Sequence, residues 1–185
     1  MSCVVTEGRV RLAITLDPDA FAELVRQHQA LVFSLARHIL GQAEEAEEVA
    51  QEVFCKLYQH GAEINSEQHL VFWLRQVATR QAVDRWRRQR LRPRLGLEQV
   101  PEPAVAPSEP DPWRQERLRR AVAALPLEQR VAIVLRYQEE LEPREIARLL
   151  GVSVHTIKSR LQRGLQALRS DPVFCQPEGE GLIAR

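Results

Sequence analysis

The chain has 185 residues and sets 26 Lys and Arg against 25 Asp and Glu, a formal net charge of +1. That length fits one or two domains with modest cores, and the balance excludes a uniformly basic molecule, so any charged partner must be met by a local patch. Cys3, Cys55 and Cys175 have neither paired spacing nor a neighbouring His cluster, which excludes a disulfide framework and a zinc site, and no apolar run approaches membrane-spanning length.

Residues 1–16 read as a loose arm, broken by Glu7, Arg9 and Arg11 and so unlike a signal peptide; a reducing cytoplasm is the expected compartment. Asp17-Pro18-Asp19 starts a helix, with Asp17 as cap and Pro18 at the first position. Phe21, Leu24, Val25, Leu31, Val32, Leu35 and Ile39 lay one apolar stripe along it, and Gly41 ends it. His28 and His38 on this helix are expected at the core edge or the surface rather than as ligands.

A second helix, about 42–59, has two unlike faces. Ala46, Val49, Val53, Phe54 and Leu57 can pack, while Glu44, Glu45, Glu47, Glu48 and Glu52, with Gln51 among them, make the other side densely acidic. Like charges at helical spacing repel by a few tenths of a kcal/mol per pair. The face is either plain solvated surface or a docking site for a basic protein. It offers no His and no complementary base, so neither metal binding nor acid–base chemistry is implied.

A third helix is expected over about 67–89. Leu70, Trp73, Leu74, Val77 and Ala78 supply its buried side, and then its character changes. The run RQAVDRWRRQRLRPR sets Arg80, Arg85, Arg87, Arg88, Arg90, Arg92 and Arg94 against Asp84 alone, with Trp86 inside the cluster. Arginine interleaved with an aromatic suits unstacked bases and the phosphates beside them, and exceeds what a helix C-terminus needs for its dipole. Trp86 either stacks on bases or packs inward, and the sequence leaves both open.

Residues 91–112 hold six of the chain's eleven prolines and read as a semi-stiff flexible spacer, the domain boundary. Beyond it, helices are expected at about 113–124 and 127–138, around Pro126, packing beneath the segment that follows. That segment has explicit turn chemistry. Pro143 suits a first helical position, Ile146, Leu149 and Leu150 form an apolar face, Gly151 can supply a left-handed C-cap, and Ser153 can cap the next helix. Ile157, Leu161, Leu165 and Leu168 then share one stripe, and Ala147 leaves little bulk where two helices must cross. Opposite the stripe lie His155, Ser159, Gln162 and Arg163, flanked by Lys158 and Arg160. These are groups that read base edges and phosphates in a major groove. The segment is a helix-turn-helix; without its Pro, Gly and Ser, a solvated helical hairpin would be the better reading. The tail from Asp171 onward is expected to be disordered.

The order of these features resembles the extracytoplasmic-function sigma factors of bacterial RNA polymerase, over roughly residues 18–169. AEEVAQEVFCKLY is similar to that family's polymerase-binding helix and FWLRQVATRQAVDRWRR to its promoter-melting segment, both in sigma region 2. The run from Ala124 to Arg169 is similar to region 4. The resemblance implies an all-α fold of two small helical domains, a three-helix unit at 17–90 and a helix-turn-helix unit at 113–170, joined by the Pro-rich linker at 91–112. It implies polymerase contacts by Glu48, Gln51, Glu52 and Phe54. It implies −10 element contacts by Trp73, Arg80, Asp84, Arg85 and Arg88, to which the arginine–aromatic argument adds Trp86. It implies −35 element contacts by Thr156, Lys158, Ser159, Arg160 and Arg163, to which the helical wheel adds His155. Core RNA polymerase and promoter DNA are the implied partners, with an anti-sigma factor a further candidate, and no cofactor, metal or catalysis is expected.

The sequence also departs from the family pattern. Arg80 stands where Asn is usual, Glu140 where Gly is common, Glu142 where Ser often caps, and His155 where Gly is frequent. The competing function is a stand-alone helix-turn-helix regulator whose N-terminal domain senses or dimerises. Such a regulator has no use for an acidic helix followed by an arginine–tryptophan helix.

Overall fold

A computed structural model describes residues 18–60, 64–91 and 112–170, and among them are seven helices and no strand. The helices are α1 (Pro18–Leu40), α2 (Ala43–His60), α3 (Glu67–Leu91), α4 (Pro112–Ala124), α5 (Leu127–Tyr137), α6 (Pro143–Leu150) and α7 (Val154–Ser170). The expected arm, the cap Asp17, most of the spacer and the tail lie outside the described residues.

The first unit is three helices wrapped on one apolar seam. Val32, Leu35, Ala36 and Ile39 of α1 meet Ala46, Val49, Val53 and Leu57 of α2, and Leu70, Leu74, Ala78 and Ala82 of α3 close the seam. All are essentially removed from water, each large side chain stabilising the unit by about 1.5–3 kcal/mol. Gly41 turns the chain between α1 and α2 at φ +85°, and its amide donates to the Arg37 carbonyl at 2.8 Å.

The second unit stacks α5 beneath the α6–α7 pair. Leu127, Val131, Val134 and Leu135 pack against Ile146, Leu149, Ile157 and Leu161. The turn chemistry works as the residues suggest. Pro143 opens α6, Gly151 ends it in the left-handed conformation at φ 68°, and the Thr156 amide donates to Ser153 Oγ at 3.1 Å. Where a serine cap is absent, the Glu142 amide instead donates to Glu145 Oε2 at 2.7 Å. Glu140, at the position where glycine is common, sits at φ 55°. Gly164 is buried on the inner face of α7, and a Cβ there would stand 3.0 Å from Ile133 Cγ1.

The two units do not stand apart as a spacer suggests; they share a polar seam. Arg75 Nε of α3 donates to Glu139 Oε2 at 2.8 Å, and Gln76 Nε2 to the Leu149 carbonyl at 3.3 Å. Gln138 Nε2 donates to Ser34 Oγ of α1 at 2.5 Å, and Arg130 Nη1 to the Ile39 carbonyl at 2.7 Å.

Candidate nucleic-acid interface

Three patches carry the expected contacts, and each is built by a helix that keeps its opposite face in the core. On α2, burial of Ala46, Val49, Val53 and Leu57 turns Glu44, Glu47, Glu48, Gln51 and Cys55 to solvent. Phe54, the apolar member of the expected polymerase contacts, packs as its spacing suggests: it is 8% exposed, part of the core, and lies beneath the acidic face. Its helical position, one residue after Val53, gives it to the packed side.

Glu45, Glu48 and Glu52 are not simply solvated. They converge on Arg85 of α3, whose Nη1 donates to Glu45 Oε2 at 2.9 Å and to Glu48, and whose Nη2 donates to Glu52 Oε1 at 2.8 Å. Burial alone would lower the Arg85 pKa; the hydrogen bonds to Glu48 and Glu45 and the Glu45 and Glu52 charges outweigh it and hold the pKa above the ordinary arginine value. An arginine so held is a strut between α2 and α3. In the free chain this expected −10 contact is engaged by carboxylates of α2, so the acidic and the basic helix faces, read separately, are partly each other's counter-ions.

Along α3 the remaining expected residues divide. Arg80, Asp84 and Arg88 are exposed, as is the neighbouring Arg87, and Arg88 Nε donates to the Asp84 carbonyl at 3.3 Å. Trp73 is half-buried against the core. Trp86 is also half-buried and packs against the core; the Arg90 guanidinium lies 4.5 Å from its ring centroid and that of Arg130 5.9 Å. Cation–π contact with these two charges, in place of an unstacked base, is therefore the ring's state in the free chain.

On α7, Ile157, Leu161 and Gly164 face the core and His155, Lys158, Gln162 and Arg163 are exposed. Thr156 and Ser159 are half-buried; the Thr156 hydroxyl is within 2.8 Å of Ser153 Oγ, so it completes the cap. Arg160 Nη2 donates to Glu128 Oε2 of α5 at 2.8 Å, which ties α7 down at mid-length and engages one of its expected −35 contacts.

Arg130 escaped the sequence reading. It is 4% exposed, with Nη1 donating to the Ile39 carbonyl and Nη2 to the Ala123 and Leu125 carbonyls, the last at 3.1 Å. No carboxylate faces it in these bonds; the partial negative charge of two helix C-termini does. Desolvation, then the nearby Arg90 charge, lowers its pKa. A signal existed: Arg130 lies three residues after Leu127 and four before Val134, within an apolar stripe that admits no solvated cation.

The family model for sigma-70 region 2 matches residues 24–92, and that for sigma-70 region 4 matches residues 115–168. The ECF RNA polymerase sigma factor SigW of Bacillus subtilis is 31% identical over 170 residues, which cover 83% of this chain and 89% of that one. The chain belongs to the extracytoplasmic-function sigma factors. The ECF sigma factor SigE of Mycolicibacterium smegmatis is 35% identical over 158 residues, 80% of this chain and 59% of that relative. The sigma factor RpoE of Bartonella quintana, solved in complex with the anti-sigma factor NepR, shares the fold with a TM-score of 0.65 at 21% identity, covering 80% of this chain and 94% of that one. This chain is thus a transcription initiation factor and not an enzyme, and the reading as a stand-alone regulator is not favoured. No helix among the described residues is long and apolar enough to cross a membrane.

Proposed function

We propose that this sigma factor works in the cytoplasm and divides its contacts among the three patches. The exposed acidic row of α2, around Glu48 and Gln51, meets a basic surface of core RNA polymerase. The arginine end of α3, through Arg80, Arg88 and, once uncovered, Trp86, handles the −10 element as its strands separate. The outward row of α7, His155, Lys158, Ser159 and Arg163, reads the −35 element, with Thr156 and Arg160 setting the pose of that helix. An anti-sigma factor, such as the one bound to the Bartonella quintana relative, is a further candidate partner.

The observation that carries this reading is the helix-turn-helix row: His155, Lys158, Gln162 and Arg163 held outward by the burial of Ile157, Leu161 and Gly164, on the same chain as an acidic helix. Recognition by a helix in a major groove requires such a row, and a polymerase-docking face explains carboxylates beyond those that Arg85 neutralises. The test is run-off transcription with core polymerase and a cognate promoter. Glu47→Lys with Gln51→Lys, two exposed positions that leave the Arg85 bonds intact, should abolish core binding while helicity is unchanged. Undiminished capture of core polymerase by that variant would remove the acidic row from the mechanism.

A further inference from the structure

The carboxylates of α2 are placed by α3 as much as by their own helix. Gln81 lies one helical turn before Arg85, so both side chains meet α2 from the same face of α3. Gln81 is 8% exposed, in a stretch where Ala78 and Ala82 are wholly buried, and a polar group so covered needs partners at both ends of its amide. It has them: Nε2 donates to Glu52 Oε2 at 3.2 Å, and Oε1 accepts from the Lys56 ammonium. Glu52 Oε1 accepts from Arg85 Nη2 at 2.8 Å, so α3 holds both oxygens of that carboxylate.

The chemistry at position 81 is restricted. An amide offers a donor to Glu52 and an acceptor to Lys56, whereas a carboxylate there would face its like in Glu52 and an ammonium its like in Lys56. Lys56 is the only lysine or arginine of α2. It stands four residues after Glu52, the spacing at which the two would otherwise pair along the helix. A Lys56 free to do so would carry its charge toward Glu48, Gln51 and Glu52, the row that the functional reading gives to a basic surface. The Gln81 carbonyl draws it toward α3 instead.

We propose that Gln81 is a positioning residue for the docking face of α2. It fixes Glu52 and withdraws Lys56, so that the face presented to a basic partner stays acidic. It acts from beneath, through those two side chains. The role rests on the reading that this face docks on core polymerase, and it names the residue of α3 that sets the charge pattern there.

The experiment measures association of the full chain with core polymerase as ionic strength is raised. Gln81→Met keeps the bulk of the side chain and removes both hydrogen bonds. At low salt it should lower the affinity about fivefold, mainly through slower association, and the loss should shrink to within about twofold near about 0.5 M salt, where charge effects are screened. The same substitution made in a Lys56→Met background should cost less than about twofold at low salt, because no cation is left to enter the face. Circular dichroism and urea titration follow the fold of each variant. A loss that is equal at every salt concentration, or equal with and without Lys56, is a packing defect and overturns the positioning role. Glu47→Lys with Gln51→Lys, measured alongside, separates the two claims. If that variant loses core polymerase and Gln81→Met does not, the positioning role is overturned and the docking face stands. If it binds undiminished, both fall together.

Discussion

Arg85 of α3 and Glu52 of α2 meet at 2.8 Å, and Glu45 joins them at 2.9 Å from the same guanidinium. Removing Arg85 leaves several carboxylates facing one another without a counter-charge on a helix that is already acidic. Arg85→Ala is expected to destabilise the first unit by about 1–3 kcal/mol, whereas Arg88→Ala, at an exposed site, should fall within about 0.5 kcal/mol of wild type. Urea titrations of both variants measure the difference. Equal stabilities would show that the three-carboxylate grip contributes nothing net. A melting defect in Arg88→Ala but not in a folded Arg85→Lys would then separate strand contact from support.

Salt dependence distinguishes the cations of α7. Each phosphate contact should contribute about 0.9 to the slope of log affinity against log salt. Lys158→Ala and Arg163→Ala are each expected to lower that slope by about 1 on −35 duplex DNA. Arg160→Ala should lower it less, since Glu128 already holds that guanidinium. Glu128→Gln should strengthen binding by releasing it. Titrations at several salt concentrations, with the four variants side by side, decide the order.

Glu140 occupies a left-handed backbone conformation at φ 55°, a position that penalises a side chain by roughly 1–2 kcal/mol. Glu140→Gly is therefore expected to raise stability by about 1 kcal/mol, less the extra freedom glycine gives the unfolded chain. Thermal unfolding of the two forms compares them, and a lower midpoint for the glycine variant would show that the Glu140 side chain has a compensating role.

Much of this was legible beforehand. Apolar spacing located the helices to within a few residues, and Pro143, Gly151 and Ser153 defined the helix-turn-helix because each residue has one backbone preference that the turn needs. Glu140 was visible as a departure, and its strain is what the usual glycine avoids. The seam was not legible. Arg75, Gln138 and Glu139 are unremarkable in a helical pattern, and only tertiary packing makes them partners. The Arg85 grip was hidden for a related reason: a charged face reads as solvent-facing until the opposite charge from another helix is brought against it.

His28 on α1 gives the chain a pH response. Desolvation lowers its pKa below the ordinary 6.5, with the Glu67 charge opposing. The folded state then binds fewer protons than the unfolded state, so stability is full above pH 6.5 and declines as pH falls below it. The unfolding midpoint is expected to drop between about pH 7.5 and about pH 5.5, and His28→Gln should flatten that part of the profile. A parallel decline in the variant would assign the response to other groups.

Gly164 lets α7 settle onto α5 with nothing between its backbone and Ile133 Cγ1 but the space a Cβ would fill at 3.0 Å. The spacing fixes how far the reading helix stands proud of its platform, and hence the angle and depth at which His155, Lys158 and Arg163 reach any groove. A larger residue at 164 would act as a shim, lifting the helix and shifting its register against the bases. On the proposed reading of α7, promoter choice is open to retuning from beneath, by a position on the helix's buried face.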